Sequence, residues 1–232
     1  MSLTAGTRPI TQRGLVYHLD ISNPLCYHND KCYDLINKTQ GNIINNVVHR
    51  SGKRGILEFN NDNQHIEVSE NFTFTDQQSI DVWIKPQSTS TTEFQRILDK
   101  SDGDSGLNGY SLIYHPLLNT INYIINDGNS IDQISYALQE TDKWVNIVII
   151  KDQTQYKIYV NGEKVKENTG TISFAQTSTP LRIGAYSQSS DKSFKGEINN
   201  IKIYNIALSE QEISKNFKSL KKRLDIVIPA TT

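Results

Sequence analysis

The densest set of oxygen ligands in this chain is the stretch Asp99-Lys-Ser-Asp-Gly-Asp-Ser-Gly-Leu-Asn108. Asp99, Asp102 and Asp104 place their carboxylates close together there, and Ca²⁺ collects about six to eight oxygens from carboxylates, carbonyls and water. The spacing departs from an EF-hand loop, which needs a bidentate Glu at its twelfth position. The stretch therefore reads either as a calcium site or as a solvated Asp/Gly/Ser turn. Calcium is the one cofactor these residues suggest.

Other chemistries find less to work with. The five histidines are scattered, and His18 and His65 fall inside strand-like segments where packing or exposure accounts for them. No Gly-x-Ser-x-Gly elbow, P-loop or His-Glu-x-x-His motif occurs. Cys26 and Cys32 are the only cysteines, and His28 is the only histidine between them. A metal site needs more ligands than that, so the pair reads as a disulfide or as two free thiols.

The elements around these residues are overwhelmingly strand-like. Ser79-Ile-Asp-Val-Trp-Ile-Lys-Pro86 alternates strictly, so Ile80, Val82 and Ile84 face one side and Asp81, Trp83 and Lys85 the other. Leu15–Asp20, Ile56–Phe59, His65–Val68, Phe94–Lys100, Tyr110–His115, Thr120–Asn126, Trp144–Ile150, Gln155–Val160 and Leu181–Gly184 follow the same logic. Asn161-Gly162 tolerates positive φ at both central positions of a type I′ turn and marks a hairpin into Glu163-Lys-Val-Lys. Phe194–Phe217 reads as a strand with one slip at Asn199-Asn200, as a β-bulge makes, running into a helix capped by Ser209 and Glu212. The turn-rich segment from Ile21 to Asn46 reads as a long loop. Many short strands and one helix predict an all-β, two-sheet antiparallel sandwich.

The chain has 232 residues and a net charge of −1, which suits one domain and gives no bulk attraction to nucleic acid or membrane. The longest apolar run, Val145–Ile150, is far too short to span a bilayer. The first residues show no apolar leader segment, so the expectation is a protein made in the cytosol.

In order, Gly14-Leu-Val-Tyr-His-Leu-Asp20, Leu57-Glu-Phe-Asn60 with His65-Ile-Glu-Val68, Ser79–Pro86, Trp144-Val-Asn-Ile147, Tyr159-Val-Asn-Gly162 and Phe194-Lys-Gly-Glu-Ile-Asn199 through Ala207-Leu-Ser-Glu-Gln-Glu-Ile213 resemble the laminin G-like, concanavalin A-like jelly-roll superfamily. The resemblance covers residues 14–217 and implies two packed antiparallel sheets, one of them concave. Family members that begin much like Gly14 to Pro24 resemble modules of tailed-phage virion proteins.

What the resemblance implies for function is wide, from glycan-binding lectins to architectural domains and some glycoside hydrolases. Hydrolases of this architecture carry Glu-x-Asp-x-Glu on one strand, and this chain lacks it, so a non-enzyme is expected. The leading expectation is a virion module, for decoration, fibre or adhesion, partnered by other virion proteins or its own copies. Residues 1–13 and 218–232 would then be attachment arms, with Arg8, Ile226 and Ile228 as contacts. The alternative is an adhesin that binds cell-surface glycans, through aromatic faces and amides of the concave sheet or its rim. Trp83, Tyr110, Tyr114, Asn108 and Tyr186 are the ligand candidates, with Tyr123, Tyr136 and Trp144 as further aromatics.

Overall fold

The computed structural model describes residues 10–69, 72, 74, 76–88, 94–102, 108–174, 177–186 and 192–224. The first part of the chain forms β1 (Leu15–Asp20), β2 (Tyr27–His28), β3 (Lys31–Tyr33), β4 (Gln40–Ile44), β5 (Val48–Arg50), β6 (Ile56–Phe59) and β7 (His65–Val68). Longer strands follow: β8 (Gln77–Pro86), β9 (Gln95–Ser101), β10 (Asn108–His115), β11 (Thr120–Asp127), β12 (Ile131–Ala137) and β13 (Val145–Asp152). The last are β14 (Gln155–Val160), β15 (Glu163–Thr169), β16 (Leu181–Ile183) and β17 (Gly196–Tyr204), before the helix α1 (Glu210–Leu220).

These strands build two antiparallel sheets. Sheet I runs β15-β14-β13-β8-β17-β6-β5, and sheet II runs β12-β11-β10-β9-β16-β7-β4-β3-β2. One edge of β17 is shared: β6 pairs with Gly196–Ile198, and β1 with Asn200–Tyr204. Alternation fixes what each face does. Ile80, Val82 and Ile84 of β8 meet Leu98, Leu112 and Tyr123 of sheet II in the interlayer core. The expected slip in β17 is a register shift between Ile198 and Asn200 against β8, which keeps Ile198, Ile201 and Ile203 all in the core. Gly196 opens that strand at φ +141, where an added Cβ would lie 2.3 Å from the Lys85 carbonyl oxygen, so no larger residue fits.

The segment Ile21 to Asn46, read as one long loop, instead carries β2, β3 and β4. Asn29 and Asp30 adopt φ of 51° and 56°, turning β2 into β3, and the Asp34 carboxylate accepts from the backbone N–H groups of His18, Ile36 and Asn37. Three short strands thus hide between residues that look like turn signals because they are turns. The edge strand β12 was also absent from the sequence reading: its outward residue Ile131 is exposed, which blurs the alternation.

The outer face of sheet I is not left to solvent. Helix α1 lies on it, with Ser209 and Glu212 forming the predicted capping box. Ile213 joins Leu15, Val148, Ile150, Tyr159 and Tyr204 in one apolar cluster, while Phe217, Leu220 and Leu224 close over Trp83 in another. The compact unit therefore extends beyond the expected limits of 14–217. Thr11 donates its backbone N–H to Asn216 Oδ1 at 2.8 Å, Arg13 pairs with Glu212 at 2.9 Å, and Arg223 pairs with Asp20 at 2.6 Å. Residues 10–13 and 218–224 are part of the domain because they cover an apolar sheet face. Arg8, Ile226 and Ile228 lie outside the described residues.

Candidate binding site

Alternation explains where the expected ligand residues go. Trp83 does point away from the interlayer core, as read, but it is fully buried under α1 and stacks on Phe217. It has no face to offer a ligand. Tyr110 and Tyr114 point inward. Tyr110 sits edge-on to Phe74 at 6.0 Å, and Tyr114 donates its hydroxyl to Asn119 Oδ1 at 3.0 Å. Burial pushes both phenols up, Tyr114 to about 12. Tyr186 is buried between the Arg96 guanidinium, 4.8 Å from its ring centre, and the Lys192 ammonium, at 4.9 Å. Asn108 begins β10, and its carbonyl accepts the Asp102 N–H at 3.0 Å. These five residues do not form one surface.

The calcium set divides as well. Asp99 is fully buried, accepts hydroxyl hydrogens from Ser101 and Ser111, and has Arg96 Nε at 3.7 Å. A guanidinium at that distance already supplies the positive charge, so Asp99 fits a cation poorly. Asp102 Oδ1 instead accepts from the hydroxyls of Thr177 and Thr179, and Asp104 lies outside the described residues. Among the described residues no group of three or more His, Cys, Asp or Glu is placed to hold a metal ion. Cys26 and Cys32 are free, buried thiols, both pushed up to about 12 by burial. Nor is any helix of the described residues long and apolar enough to cross a membrane.

Two clefts lie at one end of the sandwich. The larger, about 190 Å³, is lined by Glu58, Lys85, Asp142 and Glu197. Glu58 and Glu197 stand directly opposite each other on β6 and β17, but each has a cation of its own: Arg50 at 2.6 Å and Lys85 at 3.2 Å. The Glu58 pKa is lowered, by its hydrogen bond with Asn60 and by Arg50. A glycosidase acid needs the reverse, a carboxyl raised toward neutrality.

The smaller cleft, about 150 Å³, differs in kind. Tyr136, Leu138, Gln139, Lys143, Trp144 and Asn161 line it. Three elements position them. Tyr136 is the last residue but one of β12, where it pairs with Ile121. The loop from Leu138 is tied back by its N–H to Asn119 O at 2.7 Å and delivers Trp144 to the start of β13. Asn161 and Gly162 turn β14 into β15 with φ of 52° and 86°, the predicted type I′ geometry.

Asn161 clamps Asn146 twice, accepting its N–H at 2.9 Å and donating its own N–H to Asn146 O at 2.8 Å. That leaves the Asn161 Nδ2 without an intramolecular partner among the described residues, as are the Gln139 amide and the Tyr136 hydroxyl. Two half-exposed aromatics and several open amide and hydroxyl groups therefore converge on a cavity of one-ring size. The sequence contained these aromatics but not their convergence, which depends on β12, the strand it concealed. Trp144 stands just before the first residue of β13, after Asp142-Lys143, and that rim placement was the available clue.

A laminin G-type family model, described as the concanavalin A-like lectin/glucanases superfamily, matches residues 60–214. No curated protein matches the chain in sequence. Among solved structures, the binding domain of Paraclostridial Mosquitocidal Protein 1 superimposes with a TM-score of 0.71 at 19% identity, over 88% of this chain and 52% of that one. The botulinum neurotoxin serotype D ligand binding domain in complex with N-acetylneuraminic acid gives 0.71 at 16% identity, over 88% and 50%. The binding domain of botulinum neurotoxin DC in complex with rat synaptotagmin II gives 0.71 at 15%, over 89% and 52%. The chain spans about half the length of these solved chains, and the likeness is one of fold.

Proposed function

Because this chain belongs to the concanavalin A-like lectin/glucanases superfamily, we propose that it is a non-enzymatic binding module that takes a glycan at the Tyr136–Trp144 rim. The observation that carries this reading is the lining of the smaller cleft: two aromatic walls with unengaged amide and hydroxyl groups between them. A pyranose presents an apolar C–H face that suits an aromatic ring and hydroxyls that suit Gln139 and Asn161. The cavity of about 150 Å³ is below the roughly 300–1,000 Å³ of drug-sized sites, so it admits a single terminal ring rather than a chain of sugars.

Support for a non-enzyme comes from the carboxylates. Glu58, which lines the larger cleft, is displaced downward, away from general-acid work. Among the neighbours, one is in complex with N-acetylneuraminic acid and another with a synaptotagmin. The small aromatic-walled cavity favours the glycan of these two ligand kinds. Display on a virion is the wider proposal, resting on the resemblance at residues 14–24, and copurification of the chain with particles tests it.

The direct test is an immobilised-glycan screen of the native chain, with calcium and with a chelator, alongside Trp144→Ala and Tyr136→Ala. Glycans retained by the native chain and lost by both variants at unchanged melting temperature support the site. No retained glycan in either condition, or retention unaffected by both substitutions, overturns it. Loss of binding with the chelator alone would extend the reading to a calcium requirement.

A further inference from the structure

Helix α1 reaches two lining residues of the rim cleft, Asn161 and Trp144, by separate routes, through two consecutive residues. The polar route starts at Asn216, whose Nδ2 donates to Asp81 Oδ2 at 3.2 Å. Asp81 Oδ2 also accepts from Lys202 Nζ at 3.2 Å, and its Oδ1 accepts from Asn146 Nδ2 at 2.8 Å. Asn146 is the residue that Asn161 clamps at the cleft. Asn216, Asp81, Lys202 and Asn146 have no solvent-exposed surface. In such surroundings a hydrogen bond to a charged group is strong, and losing one partner displaces the others.

The apolar route starts at Phe217. Its ring lies on Trp83, and Trp144 packs against the cluster that Phe217, Trp83, Leu220 and Leu224 make. Phe217 also supports the Asn161–Gly162 turn: a Cβ added to Gly162 would lie 3.0 Å from its ring. The helix and its clusters sit outside the interlayer core. Their docking can therefore loosen without opening the sandwich, since local opening follows such separately packed units.

We propose that helix α1 is a positioning element for the rim site, with Asn216 setting Asn161 through Asp81 and Asn146, and Phe217 setting Trp144 and the turn. Ligand affinity is thereby tied to how firmly the helix is docked. The inference rests on the rim cleft being the binding site only where it speaks of affinity. The coupling itself concerns Asn161 and Trp144 with or without a ligand.

The test uses Asn216→Ala in the full chain, read by amide hydrogen exchange and by acrylamide quenching of Trp144 in a Trp83→Phe background. The expected result is exchange at Asn161 faster by about tenfold, the scale of one lost hydrogen bond to a charged group. Quenching of Trp144 should rise, and exchange at Tyr123 in sheet II should stay unchanged. Unchanged exchange at Asn161, or an equal rise at Tyr123, overturns the proposal, because the first shows no coupling and the second only general destabilisation. Should Asn216→Ala fail to fold, Leu224→Ala loosens the apolar route from just beyond the helix and is read the same way. Both arms need no ligand. If Asn161 and Trp144 loosen as expected while no glycan is ever bound, the positioning holds and the glycan reading alone fails.

Discussion

Trp83 and Phe217 stack nearly parallel, their ring centres 5.5 Å apart and their planes within 6°. The contact joins the middle of sheet I to the helix near the end of the described chain, and it turns what would be a wet sheet face into a second buried layer. Asp81, the neighbour of Trp83 on β8, then has to be buried too. It survives there because Lys202 supplies charge and Asn146 and Asn216 supply donors.

The stack should be worth measuring directly. Trp83→Ala removes a fully buried indole and is expected to cost about 3–5 kcal/mol in urea unfolding. Phe217→Ala should cost a similar amount. The two should be non-additive by about 0.5–1.5 kcal/mol, the usual coupling of an aromatic pair. Strict additivity in the double variant would show that the rings contribute only separate burial.

A second expectation concerns acid. His18 is buried beside Lys202, and burial followed by that ammonium lowers its pKa from 6.5 to about 4. Unfolded, it titrates near about 6.5. Between those values the unfolded chain binds the extra proton, so stability is fully present above about 6.5 and falls as pH drops toward about 4. The loss integrates to about 3 kcal/mol. His18→Gln, which stays neutral, should flatten this limb: comparing urea unfolding at pH 7 and pH 4.5, the variant should lose less than the native protein by about 2 kcal/mol or more. An equal loss in both would assign acid sensitivity to carboxylates instead.

The thiols give a third. Burial raises both Cys26 and Cys32 to about 12, so at pH 8 their thiolate fraction is lower than that of an exposed cysteine by about a thousandfold. Native protein should therefore react with a disulfide reagent only as fast as it opens, while denatured, non-reduced protein should titrate two thiols. A denatured count of zero would mean that the pair is bonded.

How much of this could be read from the residues depends on which face a residue serves. The strands of the interlayer core were legible because Ile80-Asp-Val-Trp-Ile84 and its relatives alternate, and because Asn161-Gly162 and the Ser209–Glu212 cap have local causes. The bulge at Asn199 was legible for the same reason. The burial of Trp83 was not. Alternation tells that a side chain points away from one core, never whether something covers it, and the cover here comes from Phe217, Leu220 and Leu224. Nor was the rim cleft, since Tyr136, Trp144 and Asn161 meet only once β12, β13 and β14 are in register.

That cover also decides where the domain ends. If the compact unit stopped at Phe217, a chain cut there would fold as well as the full one. Such a cut removes Leu220 and Leu224, both buried against Trp83, and the ion pair of Arg223 with Asp20 at 2.6 Å. Burying two leucines is worth about 3–6 kcal/mol, whereas the largely buried ion pair sets its attraction against the cost of desolvating both charges. The truncated chain should therefore unfold at clearly lower urea, and Leu220→Ala/Leu224→Ala in the full chain should account for most of the loss. Equal stability of the truncated and full chains would return the boundary to Phe217 and leave the last turns as an appendage.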